Sequence, residues 1–160
     1  MPAVMTVEER EAFLAEAHVG VLAVEREGRA PLAVPIWYDY EPGGQIVLWT
    51  GRDSVKGKAI RAAGRFSLAA QSEELPYKYV TVEGRVVSAD EQPSREQALT
   101  IARRYLPGKV ADVYVDGALT KESVLIRMLP ERWLSSDLGK DVPAEVMRAV
   151  EAQAADPERR

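Results

Sequence analysis

Tyr77-Lys-Tyr-Val-Thr-Val-Glu-Gly-Arg-Val-Val87 alternates side chains with the period of two that a half-buried β-strand requires. Val80, Val82 and Val86 fall on one face with Gly84, and Tyr77, Tyr79, Thr81, Glu83 and Arg85 on the other. One side is therefore core, and the other is polar and aromatic, open to a partner. Similar runs lie at Val19 to Glu25, Ala30 to Tyr40, Gln45 to Trp49, Arg65 to Gln71 and Ser123 to Leu129, with Arg132 to Ser136 continuing beyond Pro130. Arg26-Glu-Gly-Arg29 and Glu41-Pro-Gly-Gly44 read as tight turns, the first with Gly28 available for positive φ. Six or seven strands joined mostly this way predict a mainly β fold, an antiparallel barrel with a few flanking helices. Pro31 and Pro35 cannot donate to a ladder, so their strand is expected at an edge or with a bulge.

The helices announce themselves by their caps. Thr6-Val-Glu-Glu9 has capping-box spacing and opens a helix to about Ala17, expected over a barrel end; Ser94-Arg-Glu-Gln97 opens another to about Tyr105. Leu-Pro-Gly108 stops the latter, and Pro107 to Leu119 reads as a loop, like Ser72 to Pro76. Pro143 to Gln153 is helical, and Asp156 to Arg160 is expected to fray.

Composition bounds the rest. The 160 residues, 46% hydrophobic, suit one domain spanning residues 1–160, with its core at about 6–136 and a C-terminal helix and tail at 143–160. A net charge of −4 repels nucleic acid and anionic membranes. The basic run Arg52 to Arg65 lacks the interleaved aromatics of a strand-binding surface. With no Cys, thiolate chemistry is excluded, and a single His, read as a structural residue at a helix end, weakens metal and triad readings; no metal site is expected. The N-terminus lacks an export signal and no apolar run approaches the ~20 residues of a membrane span, so a cytoplasmic protein is expected.

The segment that carries chemistry is Trp49 to Leu68, WTGRDSVKGKAIRAAGRFSL. A strand ends at Trp49, Thr50 to Asp53 turn, and a helix runs from Ser54 to Ala63 with Lys56 in its first turn. A helix N-terminus with free N–H groups, two hydroxyls (Thr50 and Ser54) and the Lys56 ammonium together suit a phosphate. An ordinary capped helix with a solvated basic face has the same spacing.

The order of these segments resembles the pyridoxamine 5'-phosphate oxidase-like split β-barrel superfamily, in particular its deazaflavin-dependent reductase branch, which uses coenzyme F-420. The resemblance covers roughly Thr6 to Ser136 and rests on Val34-Pro-Ile-Trp-Tyr38, Trp49-Thr50 with Ser54 and Lys56, Arg65-Phe-Ser-Leu68, Pro76-Tyr-Lys-Tyr-Val80 and Val82-Glu-Gly-Arg85. It implies a homodimer with the cofactor at the subunit interface, its phosphate held by Thr50, Ser54 and Lys56, with Arg52 and Lys58 as helpers. It further implies Val34, Pro35, Ile36 and Trp37 along the ring, and Gln71 with the other subunit's Tyr77, Tyr79 and Trp133 as further wall. The activity implied is hydride transfer to an unsaturated small molecule. Two alternatives stay open: a flavin mononucleotide (FMN)-dependent oxidase or reductase, and a non-catalytic flavin or tetrapyrrole binder. Many FMN-binding members carry a basic residue just before the Lys, where this chain has Val55. Since such cofactors bring their own reactivity, the lack of a visible acid–base pair or nucleophile fits an enzyme whose catalytic residues stay unassigned.

Overall fold

The computed structural model describes residues 3–156. Seven antiparallel strands form one curled sheet in the order β2-β1-β5-β6-β7-β4-β3. They are β1 (Gly20–Arg26), β2 (Arg29–Ile36), β3 (Tyr38–Asp39), β4 (Ile46–Gly51), β5 (Arg65–Gln71), β6 (Lys78–Glu91) and β7 (Ser123–Asp137). The helices among the described residues are α1 (Val7–Ala15), α2 (Val55–Ala63), α3 (Arg95–Ala102), α4 (Gly108–Ala118) and α5 (Ala144–Ala154). The fold is the expected mainly β split barrel.

The run expected as one strand from Ala30 to Tyr40 breaks at Trp37. β2 lies at one edge of the sheet and β3 at the other, so residues 36–38 carry the chain from edge to edge and curl the sheet. β2 carries Pro31 and Pro35 at the position where missing donors do least harm. Leu22, Val24, Ile46, Leu48, Leu68, Val80, Val82, Ile126 and Met128 fill the interior, each 0 or 1% exposed. Each such side chain contributes about 1.5–3 kcal/mol by leaving water.

Helices close the barrel. α1 has both arms of its capping box, Glu9 N–H to Thr6 Oγ1 and Thr6 N–H to Glu9 Oε1, and inserts Phe13 and Leu14 into the core. α2 adds Ile60, fully buried. The C-terminal carbonyls of α1 have no basic neighbour in their own turn; Arg104 donates to Ala15 O and Glu16 O, both at 3.0 Å, and Tyr38 Oη donates to Leu14 O at 2.7 Å. Burial pushes the Tyr38 phenol well above its usual value, so it remains a donor.

Gly108–Ala118, expected as a loop, is a helix. Pro107 provides no side-chain cap, and Val110, Val113, Val115 and Gly117 are weak helix formers, so the sequence carries no start signal. Tertiary packing supplies the stability: Ala111 and Val115 bury against Ala98, Leu99 and Ala102 of α3 with Trp49 alongside. The two expected strands around Pro130 are one, β7, with a register shift where Gly84 meets Pro130. The expected C-terminal helix is present; the fraying expected at the terminus falls largely on residues 157–160, outside the described residues.

Lys140 ties the C-terminal end of the sheet to α1, its Nζ donating to Glu9 Oε1 at 2.6 Å. That bond and the Thr6 amide hold the Glu9 carboxyl down at about 2. A lowered folded-state value means the tie stabilises the fold above the ordinary 4.5 and fades as the pH falls toward 2. The stability gap between wild type and Lys140→Met, measured by urea unfolding across pH, is expected to be constant near neutrality and to close through this window. A gap that persists unchanged in acid refutes the tie.

Candidate functional site

β4 ends at Gly51, and Arg52 N–H donates to Glu122 O at 2.7 Å, which fixes the turn. Ser54 is the N-cap of α2: its Oγ donates to Gly51 O (2.7 Å) and accepts from Gly57 N–H (3.0 Å). Because that single proton goes to a carbonyl, Thr50 is the donor in the 3.2 Å contact between the two hydroxyls. Ser54 is thus saturated, and its effect on an anion is to hold Thr50 and the helix start rather than to coordinate directly. The amides of Val55 and Lys56 precede the first intrahelical bond and have no acceptor among the described residues. Lys56 has no ion-pair partner among them either, whereas Arg65, Arg85, Arg95 and Arg127 are all paired.

Thr50 and Lys56 line a cavity of about 390 Å³ whose walls include Pro35, Trp37, Ile101 and Tyr114. Trp37 is held from behind. Its ring stacks on Tyr105 with centroids 5.0 Å apart and planes 6° from parallel, and Tyr114 leans on it at 5.2 Å. Tyr105 Oη donates to His18 O at 2.7 Å and accepts from Tyr38 N–H at 3.2 Å, tying the exit of the edge-to-edge crossing to the approach to β1. Neither Tyr105 nor Tyr114 was legible as a site residue: one marks the expected helix end, and the other lies in the segment read as a loop.

The structure separates the expected residues. Pro35, Ile36, Trp37, Thr50 and Lys56 line the cavity, Ile36 while belonging to the barrel core. Val34 packs against the barrel core instead, because alternation along β2 turns it inward when Pro35 faces out. Arg52, whose Nε is buried without a partner, and exposed Lys58 flank the turn without lining the cavity. Gln71, Tyr77 and Tyr79 lie on the outer sheet face or at its end, Gln71 opposite Tyr79. Trp133 does not join them: opposite Val82 in register, it turns inward, packs edge-on to Tyr40 at 6.1 Å and lies under the Arg10 guanidinium.

A second depression, about 520 Å³, lies on the outer face over Ala23, Ser67 and Gly84. Its charges are mutually satisfied, Arg65 with Glu25 at 2.7 Å and Arg85 with Glu131 at 3.2 Å, and the Arg65 bond holds the Glu25 carboxyl below its usual range. With no unpaired charge to offer a ligand, it is the weaker candidate. Among the described residues no group of His, Asp and Glu has the placement of a metal site, and no helix is long and apolar enough to cross a membrane.

A family profile described as pyridoxamine 5'-phosphate oxidase matches residues 6–137, which include every strand and the whole cavity. The chain belongs to that family. No curated protein matched the chain. Among solved structures, a conserved hypothetical protein from Mycobacterium tuberculosis is 23% identical with a TM-score of 0.73, covering 89% of this chain and 91% of that one. An F-420 reductase is 20% identical with a TM-score of 0.64, covering 78% and 94%. An FAD-binding protein from Mesorhizobium loti is 26% identical with a TM-score of 0.60, covering 82% and 93%. This pyridoxamine 5'-phosphate oxidase family member shares their fold, with its aromatic cavity at the point where the sheet is split.

Proposed function

We propose that this chain is an oxidoreductase that binds a phosphate-bearing deazaflavin, coenzyme F-420, and delivers its hydride to an unsaturated small molecule. The observation that carries the reading is one cavity lined by both an unpaired ammonium and a braced indole. The donor set suits the cofactor: Lys56 Nζ and the Val55 and Lys56 amides take the phosphate, Thr50 Oγ1 donates to Ser54 and so holds the helix start, and Pro35 and Trp37 flank the ring. When bound, the reduced cofactor supplies the hydride. The chain's own residues hold and orient it, and the aromatic walls exclude water. The FAD-binding relative favours a second reading, in which FMN occupies the same groove.

A homodimer belongs to this proposal. Pro35, Val21, Ala69, Thr81 and Leu134 are in direct register across five strands and form an outward row of small and apolar residues. Leu134 is 62% exposed there, and Pro35 also lines the cavity, so a second copy on this face would wall the cofactor groove.

Lys56→Ala is expected to weaken F-420 or FMN binding by about 1–3 kcal/mol without changing stability, since a charge-assisted contact is lost from a half-buried site. Parallel titrations with both cofactors, read by tryptophan quenching, test it. Equal affinities in mutant and wild type would remove the phosphate assignment, and light scattering that finds only monomer would remove the dimer.

A further inference from the structure

α4 has more apolar surface than its packing uses. Ala111 and Val115 bury against α3, and beside them Asp112 and Asp116 pair with Arg95 at the start of the same helix, at 3.2 and 2.8 Å. A third side carries Val110, Val113, Tyr114 and Gly117, spaced three and four residues apart and so on one face. It is open to solvent, with Val113 73%, Val110 53% and Tyr114 43% exposed, and a Cβ at Gly117 would meet nothing within 4 Å. Tyr114 rests on Trp37 and Trp49, but Val110 and Val113 join neither core cluster of the described residues. The stripe does not end on bare surface, because Tyr114 and Ala118 are also cavity wall and carry it into the chamber of Trp37 and Ile101.

Resting on the reading of that cavity as a redox site, we infer that the acceptor substrate is an amphipathic molecule with a planar conjugated head and an aliphatic tail. The head enters beside Trp37, and the tail leaves past Tyr114 along Val110 and Val113. Size argues for such an occupant over a protein. The stripe spans about 10 Å of helix at ~1.5 Å per residue, one side chain wide. A stable protein interface needs about 800 Å² from each partner. Among the cavity-lining residues Lys56, which the cofactor phosphate takes, is the only cation and there is no carboxylate, so the head is neutral.

The test uses esters of 4-hydroxybenzoic acid, from methyl to octyl, as unreactive probes of head and tail. Each is titrated into the full chain and followed by tryptophan quenching. Wild type is expected to bind about twofold more tightly for each added methylene, roughly half the effect of a fully buried one. Val110→Asp combined with Val113→Asp is expected to abolish that dependence while leaving methyl-ester affinity, F-420 or FMN affinity and the circular dichroism spectrum unchanged. Both side chains are exposed, so the double variant folds. A wild type without chain-length dependence overturns the inference, as does a variant that keeps it, or one that instead turns a dimer into a monomer. Failure to bind either cofactor, with the chain-length dependence intact, breaks the redox reading and leaves the tail site standing.

Discussion

Gly84→Ala will destabilise this protein by about 3–5 kcal/mol, at the upper end of what single core substitutions do, and lower its melting temperature by roughly 10 °C. Gly84 lies midway along β6 on the interior face, where β7 approaches at its register shift. A Cβ there would be forced into the Leu129 carbonyl oxygen and would lie 2.8 Å from Leu129 C and 3.0 Å from Met128 Sδ. Two of those atoms are backbone of the adjacent strand, so relief requires β6 and β7, the longest strands in the sheet, to part. Gly117→Ala is the control. That glycine is in α4 with open space where the methyl would go, and the same substitution should stabilise by about 0.5–1 kcal/mol through helix propensity. Urea unfolding of both variants gives opposite signs if the β6–β7 approach is as close as described; a near-neutral Gly84→Ala would contradict it.

What the sequence revealed follows from how far each determinant reaches. Periods of two and capping boxes are local, so β5, β6, α1 and α3 were legible to within a few residues. The turn between β4 and α2 was legible for the same reason, since Thr50, Ser54 and Lys56 are neighbours in the chain. The aromatic wall of the cavity was not. Trp37 is placed by Tyr105, and the end of α1 is capped by Arg104, partners 68 and 88 or more residues away that no local pattern connects. α4 was missed because its helical state comes from burying Ala111 and Val115 on α3, against the propensity of its valines and glycines. Trp133 was assigned to the wrong face because the register shift at Pro130 changes which β7 residues point inward, and that depends on the pairing of two strands rather than on either alone.

Gly57→Ala should combine the two losses that other substitutions separate. Gly57 is buried at the first turn of α2, where the helix lies directly on the end of β4: an added Cβ would collide with Gly51 O and lie 2.7 Å from Arg52 O. The turn must lift away. Doing so pulls Gly57 N–H from Ser54 Oγ, frees Ser54 from Gly51 O and lets Thr50 lose its acceptor, so the N-terminus of α2 no longer faces the cavity as a unit. Ile60, one turn on, is levered out of the barrel end it plugs. A stability loss of about 2–4 kcal/mol is expected from overpacking and the lost cap together. Cofactor affinity should fall further than in Lys56→Ala, because every proposed donor moves and not only the ammonium. Unfolding curves and cofactor titrations on the two variants separate the roles. Lys56→Ala reports on charge at constant stability, and Gly57→Ala reports on the geometry that presents it. If Gly57→Ala loses stability yet its folded fraction binds F-420 or FMN as wild type does, the turn is scaffold alone and the phosphate is held elsewhere.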